Sequence, residues 1–240
     1  MKEVIAGYCR KLKLGSSIVE NYQHITADST EEFLAKLLET EIANRERNRK
    51  NRCLKQAGFD RIKTFAGYGF EQVQIPSSIT TNELKTAAFI ENQENLILYG
   101  SVGTGKTHLA TAVVVAACNQ GKKVRFYRTA ALVNDLIDAK TTGNLSRLLK
   151  QLEKLDLLIC DEWGYIPLDR QGAQLLFQVV ADCYEKKSVI ITTNLEFSKW
   201  NGIFFDEKLT SAIIDRLVHY SHLLIFSGKS YRLEHSKIKQ

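Results

Sequence analysis

Apolar and polar positions follow a helical period over the first part of the chain. Val4 to about Leu14 reads as a short amphipathic helix, broken by Gly15-Ser16-Ser17, and Ile18 to Ile25 reads as a second. Ala27 to Thr30 is a turn, with Ser29 and Glu32 spaced for a capping box. From Glu31 a long helical pattern sets Leu34, Leu37, Leu38 and Ile42 on one face, and Gly58 ends it. Phe59 to Ile79 is a connecting stretch, and Thr81 to Glu91 is helical.

The rhythm then changes. Short apolar runs at Leu96–Tyr99, Val124–Tyr127, Leu155–Asp161, Ser188–Thr193 and Leu223–Phe226 alternate with helical segments. Those segments begin near Lys106, Thr129, Leu145, Gly172 and Leu209, and the last turns Leu209, Ile213 and Leu217 inward. Continuous apolar strands joined by helices predict an α/β fold: a parallel sheet with right-handed crossovers, flanked by helices. The division expected is a small N-terminal all-helical domain over residues 1–62 and an α/β domain over 63–240.

The junction between the first strand and its helix carries the most specific chemistry. Gly100, Ser101, Val102, Gly103, Thr104, Gly105, Lys106 and Thr107 match G-x-x-x-x-G-K-[ST], in the strand–loop–helix setting that makes the match a phosphate loop. Glycines let backbone N–H groups close around phosphate oxygens, and the helix N-terminus adds its dipole. Lys106 is placed to reach the β- and γ-phosphates of ATP, the Thr107 hydroxyl suits Mg²⁺, and His108 follows directly. The aromatics Phe65, Tyr68 and Phe70 precede this core and either pack against it or edge an adenine.

A parallel α/β sheet holds its ligand at the carboxyl ends of its strands. Asp161 and Glu162 end one such strand and Asn194 ends another. Asp161 suits the Mg²⁺ shell, Glu162 suits general-base activation of a water, and Asn194 suits orienting that water. Arg216 lies beside an inward helical stripe; it either pairs with an acid such as Asp215 or reaches a neighbouring subunit's nucleotide. Arg232 has no role fixed by its setting.

Charge changes the picture for the long N-terminal helix. The chain has a formal net charge of +6 over 240 residues, a modest excess that suits a polyanionic partner. Arg45, Arg47, Arg49, Lys50, Arg52 and Lys55 are opposed only by Glu46, and Arg45, Arg49 and Arg52 share one face at i, i+4 and i+7. That face is either solvated or a phosphate-contacting surface for duplex DNA. The five cysteines, Cys9, Cys53, Cys118, Cys160 and Cys183, are odd in number, contain no C-x-x-C and suit small buried positions in a reducing compartment. With no signal-peptide apolar region and no bilayer-length apolar run, a cytoplasmic protein outside the membrane is expected.

The order of phosphate loop, acidic strand end, Asn-tipped strand and helix-borne arginine resembles that of AAA+ ATPases. More narrowly, the chain resembles the IstB-type ATP-binding helper proteins of insertion sequences, relatives of DnaC-like helicase loaders. The resemblance rests on Glu31 through Glu39, on Asn95 through Ala110 with Gly-Lys-Thr-His-Leu-Ala, on Asp156 through Leu168 with Asp-Glu-Trp-Gly-Tyr-Ile-Pro-Leu, on Ala212 through His219 with Asp-Arg-Leu-Val-His and on Gly228 through Arg232 with Ser-Tyr-Arg. It covers nearly the whole chain from Thr30 onward; Trp163 stands where an aliphatic residue is expected.

The resemblance implies an AAA+ core with no C-terminal lid and an N-terminal helical domain that binds DNA or a partner. It implies Mg²⁺-dependent ATP hydrolysis at subunit interfaces, self-assembly into a homo-oligomer on duplex DNA, and a transposase encoded by the same element as partner; a replicative helicase is the alternative. It also makes the helix around Lys140 to Arg147 an insertion that touches DNA, so Lys140, Thr142, Asn144 and Arg147 join Arg45, Arg49, Lys50 and Arg52 as DNA candidates.

Overall fold

A computed structural model describes residues 1–234; the last six residues of the expected second domain lie outside the described residues. The chain divides into two compact units, Met1–Lys55 and Gln56 onward.

The first unit is helical: α1 (Lys2–Lys11), α2 (Ser16–Asn21), a 3₁₀ turn (Tyr22–His24) and α3 (Thr30–Ala57), which ends just beyond it. The Ser29 Oγ accepts the Glu32 N–H at 3.1 Å, as a cap should. The Glu32 carboxylate reaches back to the Asp28 N–H at 2.7 Å, one residue beyond the Ser29 N–H that would close a capping box. The buried edge of α3 differs from the expected one. Glu41 is only 4% exposed, whereas Leu34, Leu38 and Ile42 face solvent. Glu41 accepts the Gly15 N–H at 2.9 Å and the Arg45 Nε–H at 2.7 Å, and the Arg45 Nη2 donates to the Lys13 carbonyl at 2.7 Å. The turn between α1 and α2 meets the 28-residue α3 at Glu41 and Arg45, and the edge carrying Leu34, Leu38 and Ile42 is exposed. Cys53 is only partly buried, unlike the other four cysteines.

The second unit is built on a six-stranded sheet in the order β1-β6-β2-β5-β4-β3. Its strands are β1 (Val73–Gln74), β2 (Asn95–Gly100), β3 (Val124–Arg128), β4 (Leu157–Trp163), β5 (Ser188–Thr193) and β6 (Ser221–Phe226). β2 to β6 pair in parallel. β1 adds an antiparallel edge through Val73 opposite Phe226; two residues inside the connecting stretch carry no periodicity that announces a strand.

Helices cover both faces. On one face Leu158 and Cys160 of β4 and Val189 and Ile191 of β5 join the core with α6 (Thr129–Thr141), α7 (Leu145–Glu153), α8 (Arg170–Cys183), α9 (Asn201–Phe204) and α10 (Glu207–His219). The intervening Leu157, Ile159 and Ile190 point the other way, toward the layer of α4 (Thr81–Thr86) and α5 (Lys106–Asn119). Burying a side chain such as Leu96, Leu98 or Ile159 contributes about 1.5–3 kcal/mol each. α5 is apolar almost all round, as a helix packed on several sides must be.

One local result departs from the expected pattern. The helix expected over Thr81–Glu91 stops at Thr86 and resumes as a 3₁₀ turn, because Ala87 takes a left-handed φ of 52°. A full capping box at Thr80 and Glu83 starts it. Asn95 is buried: its Oδ1 accepts the Val189 N–H at 2.8 Å and its Nδ2 donates to the Leu217 carbonyl at 3.3 Å, tying β2 to β5 and α10. Among the described residues no helix is long and apolar enough to cross a membrane.

Candidate nucleotide-binding site

The loop between β2 and α5 is shaped by backbone conformation. Gly103 and Gly105 take φ of 83° and 99°, a region that side chains disfavour. The Thr104 Oγ1 donates to the Ser101 carbonyl at 2.8 Å. The Lys106 ammonium folds back to donate to the Gly100 and Ser101 carbonyls, each at 2.7 Å. Burial pushes the Lys106 pKa down; nearby Asp161 opposes that shift and Arg232 adds to it.

The acidic strand end meets this loop. The Thr107 Oγ1 lies 3.0 Å from the Asp161 Oδ1 and 3.3 Å from its Oδ2. Asp161 is 3% exposed, a burial that an aspartate tolerates only with partners. Thr192 supplies a second hydroxyl to its Oδ1. A hydroxyl and a buried carboxylate side by side at a phosphate loop form a hard-oxygen donor pair, and such a pair fits Mg²⁺.

Glu162 is held differently. β4 and β5 keep register from Leu157–Ser188 to Cys160–Ile191, then shift, so that the next pair is Trp163–Thr193. Asp161 and Glu162 therefore oppose Thr192 alone, which is a β-bulge. Glu162 sits in the left-handed region at φ 58°, and its N–H donates to the Thr192 Oγ1 at 3.0 Å. Past the bulge the alternation shifts by one: Trp163 joins the core face of Leu158 and Cys160, while Asp161 is buried and Glu162 stays exposed beside it. Trp163, unexpected at its position, is fully buried against Trp200 and Phe204, at centroid distances of 5.4 and 5.8 Å. Asn194 follows β5 directly and is half-buried.

A cleft of about 620 Å³ opens over the loop, lined among others by Tyr68, Gly103, Lys106, His108, Lys229 and Arg232. The Tyr68 ring stands edge-on to His108 at 4.9 Å and to Phe70 at 5.0 Å. Burial pushes its phenol up to about 12. The His108 Nε2 lies 3.1 Å from the Thr64 carbonyl, which pins the connecting stretch to α5. Phe65, Tyr68 and Phe70 thus pack on one another, and Tyr68 also walls the cleft. The Tyr231 N–H donates to the Gly103 carbonyl at 3.0 Å, bringing the chain's last described segment onto the loop. Sequence spacing does not reveal that contact.

Arg216 is elsewhere. It lies one turn from the end of α10, which leads into β6 and so ends near the amino ends of the strands. The phosphate loop follows the carboxyl end of β2. The Arg216 Nη1 donates to the Ala212 carbonyl at 2.9 Å and the guanidinium lies over the Phe177 ring at 5.2 Å. It borders a surface concavity with Glu207, Lys208, Ser211 and Asp215.

The basic candidates divide. Arg45 is engaged with Glu41 and the Lys13 carbonyl. Arg49 and Arg52 are exposed on the same α3, and Lys50 is half-buried. Lys140 and Arg147 are exposed around the turn between α6 and α7. Thr142 and Asn144 bond to one another there at 3.1 Å and shape that turn.

Fold and site together define the class: an AAA+ nucleotide-binding core preceded by a helical unit. The chain belongs to the family of IstB-like ATP binding proteins, whose model matches residues 11–239. It is 35% identical over 245 residues to the protein of insertion sequence IS5376 from Geobacillus stearothermophilus, named as ATP-binding, covering 100% of this chain and 98% of that one. It is 39% identical over 206 residues to the corresponding protein of insertion sequence IS21 from Pseudomonas aeruginosa, covering 86% and 78%. Among solved structures, the DnaC helicase loader matches the fold with a TM-score of 0.53 at 23% identity, over 68% of this chain and 96% of that one.

Proposed function

We propose that this protein is a cytoplasmic, Mg²⁺-dependent ATPase that self-assembles on duplex DNA and recruits or stimulates the transposase of its own insertion sequence. The observation that carries the reading is the meeting of Thr107 with Asp161 at 3.0 Å, with Glu162 adjacent on a bulge. Loop N–H groups and Lys106 hold the β- and γ-phosphates. Thr107 and Asp161 would hold Mg²⁺, which would neutralise phosphate charge there. Glu162 takes the proton of the attacking water, and Asn194 orients that water. Because Arg216 faces away from its own loop, it serves a neighbour's γ-phosphate in the assembly.

The N-terminal helical domain, residues 1–62, supplies the DNA or partner surface. Arg49, Lys50 and Arg52 contact phosphates there, with Lys140 and Arg147 as a second contact. A transposase partner is favoured over a replicative helicase because relatives at 35–39% identity are named from insertion sequences. The likeness to the helicase loader is one of fold alone.

The test is ATP turnover with Mg²⁺, with and without duplex DNA. Wild type should be DNA-stimulated, Lys106→Ala should lose ATP binding, and Glu162→Gln should bind ATP but turn over at least tenfold more slowly. Wild-type turnover by Glu162→Gln would remove the base from the scheme.

A further inference from the structure

We propose that Thr192 is a positioning residue that sets Glu162 for catalysis by holding the β-bulge in which the glutamate stands. This inference rests on the ATPase reading above. Thr192 is 2% exposed and sits on β5, two residues before Asn194. Its hydroxyl is used in both directions. It accepts the Glu162 N–H at 3.0 Å and donates to the Asp161 Oδ1. Because one hydroxyl serves both residues, the metal-side carboxylate and the base-side backbone share a single anchor.

The need for such an anchor follows from backbone physics. A glutamate at φ 58° is in a region that non-glycine residues avoid, and surrounding contacts must over-determine it. The bulge removes one rung of the β4–β5 ladder, and the Thr192 hydroxyl replaces the carbonyl that would have received the Glu162 N–H. Asp161 has other support, from the Thr107 Oγ1 on its carboxylate and from the Thr129 Oγ1 on its carbonyl at 2.9 Å. Glu162 is exposed and gains its definition from the backbone. Loss of the Thr192 hydroxyl therefore disturbs the base more than the metal pair. β5 also leads directly to Asn194, so the same hydroxyl couples the residue that orients the water to the residue that deprotonates it.

The test compares Thr192→Val, which keeps shape and loses the hydroxyl, with Thr192→Ser, which keeps the hydroxyl, and measures Glu162→Gln alongside. Thr192→Val should keep KM for ATP within about twofold while kcat falls roughly tenfold or more, and Thr192→Ser should recover most of that loss. Hydrogen exchange at the Glu162 amide should quicken in Thr192→Val and not in Thr192→Ser. Should Thr192→Val not fold, Thr192→Ala is read in the same way. If Glu162→Gln is slow but Thr192→Val turns over like wild type, or if Ser fails as Val does, the positioning role is wrong. If Glu162→Gln itself turns over like wild type, the base assignment fails instead. The amide exchange then decides alone whether Thr192 holds the bulge, an unchanged rate overturning it.

Discussion

Replacing Gly103 by alanine loads the phosphate loop at a point where the structure leaves no room. Gly103 has φ 83°, and a Cβ there would lie 2.2 Å from the Ser230 Oγ, 3.0 Å from its Cβ and 3.3 Å from its Cα. A hydroxyl can rotate away, but a Cβ and a Cα move only with the chain. Residues 230–231 must therefore lift, breaking the 3.0 Å hydrogen bond from the Tyr231 N–H to the Gly103 carbonyl. The left-handed conformation costs alanine about 1–2 kcal/mol and the lost hydrogen bond about 1 kcal/mol, together about 2–3 kcal/mol. For a chain of this size that lowers Tm by roughly 4–12 °C. The assay is a thermal melt with and without ATP and Mg²⁺, beside a titration with fluorescent ATP. Adding Ser230→Gly removes the Oγ and Cβ obstacles but not the backbone strain, so the double variant should recover part of the loss. A Gly103→Ala protein within 1 °C of wild type, with unchanged affinity, would refute the packing of this segment on the loop.

Other expectations concern DNA and assembly. Replacing Arg49, Lys50 and Arg52 by alanine should flatten the slope of log K against log salt by about 2.7 on any duplex, so the deficit against wild type shrinks about 40-fold between 50 and 200 mM salt. An unchanged slope would return this face to solvent and move the DNA contact to Lys140 and Arg147. Arg45→Ala should instead change the slope by less than one contact's share. It should destabilise the chain by about 1–3 kcal/mol, since Arg45 is itself exposed but leaves the buried Glu41 carboxylate with the Gly15 N–H alone; a full unit of slope would put Arg45 on the DNA. Glu162→Gln should accumulate the ATP-bound assembly on DNA, visible as a larger species by sizing; a species no larger than that of wild type would count against hydrolysis-driven release.

Much of this fold was readable because its central elements are buried on both sides. β2, β4, β5 and α5 are apolar runs whose character does not depend on which neighbour covers them. α3 was readable as a helix but not as to its packed edge. Leu34, Leu38 and Ile42 make an apolar stripe as regular as any core face, yet they are exposed while the buried Glu41 edge meets the turn between α1 and α2. The break at Ala87 was hidden because alanine favours helix and its left-handed φ is imposed by tertiary packing. The candidate site divides in the same way. The phosphate loop is contiguous and specific, so it stands out in the sequence. The Glu162 bulge exists only through pairing with Thr192, and the Tyr231–Gly103 contact spans more than a hundred residues, so neither leaves a local pattern. Thr192 had one faint signal, its place in Thr-Thr-Asn at a strand tip.

The central claim is a nucleotide site completed by a neighbour's Arg216. It is tested most directly by mixing Arg216→Ala with Lys106→Ala subunits on duplex DNA and measuring ATP turnover. The first supplies an intact phosphate loop and the second an intact arginine, so in a head-to-tail assembly of equal parts about one interface in four is complete. Turnover should rise to about a quarter of the wild-type rate while each variant alone stays near zero. A mixture no faster than the sum of its parts, with co-assembly shown by crosslinking, would contradict a shared site.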